Sequence, residues 1–370
     1  MHGYLRVAPL ETLADGPAGV VRAPRVRLAE AQGILYTSGS TARPKGVVLT
    51  HGNHWWSAMG SALRLGSCDD DRWLLALPLA HVGGLAIVHR ASIAAVPVIL
   101  LEAFEPDAAN AAIDERRLTL VSVVADVLRR LLDARGDRPF PPTLRRVLLG
   151  GGPAPASLLD DCARRAVPVA YTYGLTEAAS QVATQTVGAR PGASCGPPLG
   201  VTEVRVERDG RVARAGEEGA ILVRGPTVMR GYHGRPDETA RVLVRGWLRT
   251  GDIGALDERG ELRVVGRADG VIVSGGENVS VAEIERVLLA HPGVAEALVA
   301  AAPHARWGEV PVAAVVPRAG SCVDAGALVE HCRAHLAAFK VPARVTVVAA
   351  LPRGPSGKPR AAELAREAGA

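Results

Sequence analysis

Short aliphatic runs separated by Ala- and Arg-rich stretches dominate the first half of this chain. Between about residues 33 and 171 these runs are GILYT, GVVLT, WLLALP, VPVIL, LTLVSVV, RRVLLG and VPVAY, with Gly or Pro at many junctions. Only 4% of the residues are aromatic, so aliphatic side chains and Ala must fill the core, as they do around buried parallel strands. The alternation predicts a large N-terminal α/β domain with a mainly parallel sheet.

The pattern changes twice further along the chain. After residue 195, Val- and Arg-rich runs bounded by Gly predict an antiparallel β segment. From about residue 270 the runs VIVS, VAEALVAA, VPVAAVV and RVTVVA are interspersed with two helical patterns, VAEIERVLLAH and VDAGALVEHCRAHL. We therefore expect a small α+β domain of about 100 residues at the C-terminus.

Composition and charge narrow the function classes. The formal net charge of +5 comes from Arg scattered along the chain with Asp and Glu interleaved. Because no basic run is interleaved with stacking aromatics, nucleic acid is a poor candidate ligand, and a phosphate-bearing small molecule is weakly favoured.

The five Cys form no CxxC pair, which is typical of reduced thiols in a cytoplasmic protein. The sequence predicts neither export nor a membrane span, since His89 and Arg90 interrupt the apolar stretch at 83–101.

Lysine is rare in this chain: Lys45, Lys340 and Lys358 stand against 40 Arg. Because a Lys ammonium is a compact, mobile charge, each of the three is a candidate for specific chemistry, although a GC-biased coding sequence could leave the same three. Lys45 lies in YTSGSTARPKG (36–46), whose glycines, hydroxyls and ammonium suit a phosphate. The segment is not the P-loop of NTPases, since Gly46 stands where Ser or Thr is required. An ordinary flexible loop would not need this Lys.

Two further segments carry side chains that suit a nucleotide. In YTYGLTE, Tyr173 could stack on a base, Thr176 could donate to a phosphate and Glu177 could hold Mg²⁺. A strand end with a helix cap would look the same. In GWLRTGD, Asp252 could accept both hydroxyls of a ribose, but TGD is also common in ordinary turns.

Six segments, in this order, resemble the motifs of the adenylate-forming superfamily of acyl-CoA synthetases, nonribosomal adenylation domains and luciferases. They are YTSGSTARPKG, GGGPAP, YGLTE, GWLRTGD, GRADGVIVSGGENVSVAEIE and GPSGKPR. The resemblance spans about residues 33–365. It implies that ATP, with Mg²⁺, activates a carboxylic acid as an acyl-adenylate, which is then passed to the thiol of coenzyme A. It also implies an N-terminal domain over 1–268 and a mobile C-terminal domain over 269–370, pivoting at Asp269.

The same resemblance implies roles for individual residues. Lys358, Thr176 and Lys45 would be catalytic, and Glu177 would hold Mg²⁺. The implied CoA-binding residues are Ser274, Gly275, Gly276 and Lys340, although a structural ion pair is an equal alternative for Lys340. The implied ATP-binding residues are Thr37, Ser38, Gly39, Ser40, Thr41, Lys45, Gly150, Gly151, Gly152, Tyr173, Gly174, Thr176, Asp252, Arg267 and Lys358.

Within the superfamily, YGLTEAASQVAT and LPLAHVGGLAIVHR are most similar to the o-succinylbenzoate:CoA ligases of menaquinone biosynthesis. That likeness implies an acid with a second carboxylate, which the Arg90 guanidinium could bind bidentately, although an Arg on a helix is more often a surface or structural ion-pair residue. His81, Ser180 and Gln181 would line the acid pocket, with a core or capping role as the alternative for His81.

Two other functions stay open at this point. One is the same chemistry on another aryl or short acyl acid, including transfer to a carrier-protein thiol. The other is a degenerate, non-catalytic nucleotide-binding homologue. The sequence leaves the oligomeric state open, a homodimer included.

Overall fold

The structure is a computed structural model that describes residues 25–37, 44–152, 154–186, 194–274, 277–304, 307–353, 361 and 364. Its α-helices are α1 (His51–Leu65), α2 (Val82–Ala94), α3 (Pro106–Glu115), α4 (Ala125–Arg135), α5 (Ala156–Arg164), α6 (Pro236–Val242), α7 (Val281–Ala290) and α8 (Ala325–His335). Short 3₁₀ turns cover Thr176–Ala178, Ala268–Gly270 and Ala338–Lys340.

The strands of the N-terminal part fall into three sheets. They are β1 (Ala31–Thr37), β2 (Lys45–Thr50), β3 (Trp73–Leu75), β4 (Val98–Leu100), β5 (Leu120–Val123), β6 (Arg146–Leu149), β7 (Val169–Leu175), β8 (Ser180–Thr184), β9 (Glu203–Arg208), β10 (Arg211–Val212), β11 (Gly219–Arg224), β12 (Gly231–Tyr232), β13 (Leu243–Val244), β14 (Trp247–Leu256) and β15 (Leu262–Arg267).

A six-stranded sheet with the order β4-β3-β5-β6-β7-β8 forms the centre of this part. Neighbouring strands run parallel except for β7 and β8, which pair antiparallel. Successive side chains point to opposite faces, so Val147 packs against α3, α4 and α5 while Leu148 packs on the side of α1 and α2. Burial on both faces explains why these strands read as continuous aliphatic runs. The predicted parallel α/β core is confirmed.

Two of the aliphatic runs lie outside this sheet. GILYT and GVVLT form β1 and β2, which pair antiparallel and, with β12, make a separate three-stranded sheet. Assigning them to the parallel sheet was therefore wrong. The physical reason is that residues 38–44 are too few for the crossover that a parallel pair requires.

The predicted antiparallel β segment after residue 195 is confirmed. It forms a sheet with the order β10-β9-β11-β14-β13, and β15 pairs with β14. The pairing of β14 with β15 sets Asp252 directly opposite Arg267. This register fixes two of the predicted site residues relative to each other.

The C-terminal part has a mixed sheet with the order β17-β16-β19-β18 and β20 parallel to β19. Its strands are β16 (Val271–Ser274), β17 (Glu277–Ser280), β18 (Val294–His304), β19 (Gly308–Pro317) and β20 (Arg344–Val347). Helices α7 and α8 bury Ile284 and Leu328 against it. The predicted strands and helices are present, and the described residues 271–347 add β17, which forms a hairpin with β16, and the 3₁₀ turn Ala338–Lys340.

Each hydrophobic cluster of the described residues lies either entirely up to Val264 or entirely from Ile272 onward. No cluster of the described residues joins residues from both sides of this interval. The predicted boundary at 268/269 falls in that interval and stays a prediction. Among the described helices, none combines the length and hydrophobicity that a bilayer-crossing segment requires.

Candidate active site

The hairpin between β7 and β8 carries Tyr173, Thr176 and Glu177 on one tight connection. At Gly174 a side chain is impossible without rearrangement, because a Cβ there would lie 1.8 Å from the carbonyl oxygen of Ser180. The 3₁₀ turn Thr176–Ala178 then reverses the chain into β8. Gly174 therefore has a structural role: it lets β7 approach the Ser180 backbone at the start of β8 closely.

Tyr173, Asp252 and Arg267 converge from three strands. The Tyr173 hydroxyl donates to Asp252 Oδ2, and Arg267 Nη1 lies 3.4 Å from Asp252 Oδ1. Burial, with the adjacent Asp252 carboxylate, raises the pKa of Tyr173 well above its usual range, so its hydroxyl stays a donor. The structure thus brings together the three residues expected at adenine and ribose.

Glu177 is held by Tyr232, a residue that the sequence motifs did not reveal. The Tyr232 hydroxyl donates to Glu177 Oε1 at 3.0 Å, and the Met229 backbone N–H donates to the Glu177 carbonyl at 2.8 Å. Burial raises the pKa of Tyr232 above its usual range, and the negative charge of Glu177 raises it further. The GY pair just before a Pro-initiated helix is the only local signal that could have pointed to Tyr232.

The donor set around Glu177 fits Mg²⁺ rather than a metal held by protein alone. In the described part of the chain, no group of three or more His, Cys, Asp or Glu side chains is arranged to hold a metal. A single carboxylate is nonetheless a normal protein share for Mg²⁺, which keeps several waters and takes phosphate oxygens. Glu177, with one oxygen oriented by Tyr232, matches that pattern.

Lys45 is the first residue of β2 and pairs with Thr37 across the hairpin. Its Nζ lies 2.8 Å from Glu238 Oε2 and 5.2 Å from the centroid of the Tyr232 ring. Lys45 therefore lies beside the ring of Tyr232, and Glu177 accepts a hydrogen bond from the hydroxyl of the same residue. The remaining residues predicted for the phosphate loop, which are Ser38, Gly39, Ser40 and Thr41, lie outside the described residues.

The three glycines predicted at ATP follow β6 directly. A Cβ on Gly150 would lie 2.7 Å from Thr172 Cγ2 on β7. Gly151 has φ +82°, a left-handed conformation that favours glycine, whereas Gly152 faces open space. Since β6 and β7 are parallel neighbours, these glycines lie at the carboxyl edge of the sheet, the usual place for a ligand in such sheets.

Arg90 lies in α2 and is buried, with 6% of its surface exposed. Its Nη2 donates to Ser180 Oγ at 3.1 Å, and its guanidinium lies 5.8 Å from the Trp73 ring centroid. Its Nε has no hydrogen-bond partner among the described residues, and burial lowers its pKa to about 10. This burial contradicts a surface position for Arg90, and a buried guanidinium favours an anionic partner.

Ser180 contacts Arg90 and its neighbour Gln181 is buried, whereas His81 is exposed. Gln181 Nε2 donates to Thr184 Oγ1 at 2.8 Å, but its Oε1 has no partner among the described residues. His81 is exposed at the start of α2 and makes no capping bond with its side chain. His81 lies nine positions before Arg90, which is about 13 Å along the helix axis. Of the residues predicted for the acid pocket, Arg90 and Gln181 are buried, Ser180 is partly buried and His81 is exposed.

The residues predicted for CoA and for the hinge lie in or beside the C-terminal part. Lys340 Nζ lies 2.7 Å from Glu283 Oε2, so the structural ion pair has its partner, and a role in CoA binding stays a prediction. Ser274 ends β16 and is buried. Asp269 lies in the 3₁₀ turn that joins β15 to β16. Gly275, Gly276 and Lys358 lie outside the described residues.

Two protein-family models match this chain. The model for the AMP-binding enzyme matches residues 10–233, and the model for the AMP-binding enzyme C-terminal domain matches residues 283–358. The chain belongs to the AMP-binding enzyme family. The resemblance of the six sequence motifs to the adenylate-forming superfamily is thereby confirmed.

This chain is similar to two proteins whose names give the same activity. It is 45% identical to the 2-succinylbenzoate–CoA ligase of Bacillus cytotoxicus, over 95% of this chain and 73% of the relative. Its structure matches o-succinylbenzoate CoA synthetase from Bacillus subtilis in complex with the acyl-adenylate intermediate OSB-AMP, with a TM-score of 0.87 and 41% identity. The same synthetase in complex with ATP and magnesium ion gives a TM-score of 0.86 and 41% identity. Each of these two matches covers 92% of this chain and 70% of the other.

Proposed function

We propose that this chain is an AMP-forming 2-succinylbenzoate–CoA ligase, which activates the acid with ATP and passes it to coenzyme A in menaquinone biosynthesis. The observation that carries the proposal is the match, over 92% of the chain, to a synthetase holding its own acyl-adenylate. Identity of 45% to a ligase of that name supports the same substrate. The expected enzyme class and the expected ATP, Mg²⁺ and CoA agree with these relatives.

Recognition of the nucleoside falls to the Tyr173, Asp252 and Arg267 group. The Tyr173 ring supplies a stacking face for adenine, and the Asp252 carboxylate can accept hydrogen bonds from both ribose hydroxyls. Arg267 and the Tyr173 hydroxyl already hold Asp252 from either side. This preorganisation reduces the ordering cost when ATP binds.

In the first half-reaction, a carboxylate oxygen of the acid attacks the α-phosphorus of ATP. The bond from the α-phosphorus to the oxygen bridging to the β-phosphate breaks, and pyrophosphate leaves. Bringing two anions together requires cations aimed at the developing charge, which Lys45 supplies toward the departing pyrophosphate. Mg²⁺, when held at Glu177, neutralises phosphate charge. Thr176 is proposed to donate to the α-phosphate, and Lys358 to bridge the acid and that phosphate.

Arg90 accounts for a substrate with a second carboxylate. A guanidinium that is buried, and whose Nε has no partner among the described residues, binds a carboxylate strongly because the alternative is an uncompensated charge. Ser180 provides a neutral polar group beside it, and Gln181 is the next residue of β8. The pocket therefore favours a dicarboxylic acid over a purely apolar one.

In the second half-reaction, the thiol sulfur of CoA attacks the acyl carbon. The bond from that carbon to the AMP oxygen breaks, AMP leaves, and the thiol proton passes to solvent. We propose that the C-terminal domain, residues 269–370, turns about Asp269 between the two steps. The turn would remove Lys358 and bring Ser274, Gly275 and Gly276 toward CoA, with Lys340 as a further CoA contact.

The test is a substrate panel with purified protein, MgCl₂, ATP and CoA, read by pyrophosphate release and by product mass. With 2-succinylbenzoate we expect one pyrophosphate and one AMP for each acyl-CoA formed. Benzoate and a medium-chain fatty acid serve as comparison acids. Turnover of either comparison acid without turnover of 2-succinylbenzoate would contradict the proposed substrate, and pyrophosphate release without acyl-CoA would contradict the second half-reaction.

A further inference from the structure

Glu238, on α6, pairs with two cations at once. Its Oε2 lies 2.8 Å from Lys45 Nζ, and its Oε1 lies 2.8 Å from Arg235 Nη1. Arg235 also donates through Nη2 to the carbonyl oxygen of Pro44 at 3.2 Å. Arg235 and Glu238 together therefore hold both the backbone before Lys45 and the ammonium of Lys45. We call this pair the Lys45 clamp.

The segment that carries the clamp is held by hydrogen bonds that do not involve the Lys45 side chain. Tyr232 N–H donates to Thr239 Oγ1 at 2.9 Å, and the same hydroxyl donates to the Arg235 carbonyl at 2.9 Å. His233 N–H donates to the Gly46 carbonyl at 2.7 Å, which ties the clamp segment to β2. Glu238 therefore stands at a set position beside Lys45 rather than on a free surface loop.

We infer that Glu238 is a positioning residue that occupies Lys45 until a polyphosphate displaces it, and so keeps ATP and pyrophosphate binding weak enough for release. The inference rests on the proposed function, because it takes Lys45 as the cation that meets the phosphates. Glu238 acts through Lys45 and need not touch the substrate. In the displaced state Lys45 turns to the phosphates while Arg235 keeps the Glu238 carboxylate paired.

The direction of the effect follows from charge. A carboxylate within 3 Å of the ammonium cancels much of its attraction for a phosphate, and binding must first break that pair. The Lys45 and Glu238 side chains are 21% and 29% exposed, so the pair is partly screened by solvent. Ion pairs of this exposure correspond to roughly a two- to fivefold change in affinity.

The experiment measures pyrophosphate and MgATP binding by calorimetry in the full chain. Glu238→Gln should lower the Kd of both ligands roughly two- to fivefold. Glu238→Ala should lower the Kd of both ligands as well. Because Ala cannot form the hydrogen bonds that Gln could form, a shared effect would be due to the lost charge. The matched control is Glu218→Gln, which removes a carboxylate paired with Arg263 at 2.9 Å on another strand, and it should leave both values unchanged.

A double-mutant cycle decides whether the effect passes through Lys45. In a Lys45→Met background, Glu238→Gln should no longer tighten pyrophosphate binding. Unchanged or weaker binding in both Glu238 variants, or an equal gain without Lys45, would overturn the inference. The proposed function is tested by a separate measurement, the formation of acyl-CoA by the wild-type chain. Absence of that product would contradict the proposed function without affecting the binding comparison.

Discussion

Replacing Arg90 by Met is the sharpest test of the acid pocket. Burial lowers the pKa of Arg90 from 12.5 to about 10, which corresponds to about 3 kcal/mol of disfavoured charge. A carboxylate that pairs with this guanidinium recovers part or all of that free energy on binding. We therefore expect Arg90→Met to lower kcat/KM for 2-succinylbenzoate by as much as about 100-fold.

The assay compares the diacid with two analogues that each lack one carboxylate, 4-oxo-4-phenylbutanoate and 2-butanoylbenzoate. The analogue that retains the activated carboxylate lacks the carboxylate that Arg90 is proposed to bind. It should therefore react slowly with wild type and equally slowly with Arg90→Met. Met has a similar length and no charge to bury, so the unfolding temperature should stay level or rise. An equal loss of activity on the diacid and on the reactive analogue, or a fall in stability that tracks the loss of activity, would refute the reasoning.

Three further predictions concern other parts of the site. Lys358→Ala should abolish pyrophosphate release while thioester formation from supplied acyl-adenylate persists; surviving adenylation would contradict its role. Because folding raises the pKa of Tyr173, the free energy of unfolding should fall as pH rises above about 10, the unfolded value. Tyr173→Phe should flatten that decline in denaturant titrations, and an unchanged slope would count against the Tyr173–Asp252 bond. Gly174→Ala should cost several kcal/mol, about 3 or more, measured by urea unfolding, because its Cβ would overlap the Ser180 carbonyl; a stable variant would mean that the hairpin can open.

Much of this site was predictable because its chemistry is local in sequence. Lys45, Tyr173, Glu177 and Asp252 lie in segments whose residue types suit phosphate, base, cation and ribose, and the structure brings Tyr173 and Asp252 into contact. The parallel sheet was predictable because strands buried on both faces read as aliphatic runs. β1 and β2 were misplaced because an aliphatic run does not encode its partner strand, and only the short connection could have revealed the hairpin.

The residues that hold the site were not predictable in the same way. Tyr232 reaches Glu177, and Glu238 reaches Lys45, across more than 50 and 190 positions of sequence. Those contacts exist because β12 pairs with β2, a pairing set by tertiary packing and not by any motif. The environment of Arg90 was hidden for the same reason, since its position on a helix does not reveal which face is buried.

The β7–β8 hairpin has a mechanical consequence for the two substrates. Tyr173 lies on one arm and Ser180 on the other, and the arms touch at Gly174 with no space for even a methyl group. Tyr173 is proposed to face the nucleotide and Ser180 accepts a hydrogen bond from Arg90, so on the proposed function neither pocket could widen without displacing the other. Substitutions within this turn should therefore change the KM values for ATP and for the acid together, because the hairpin would rigidly couple the proposed nucleotide and acid sites.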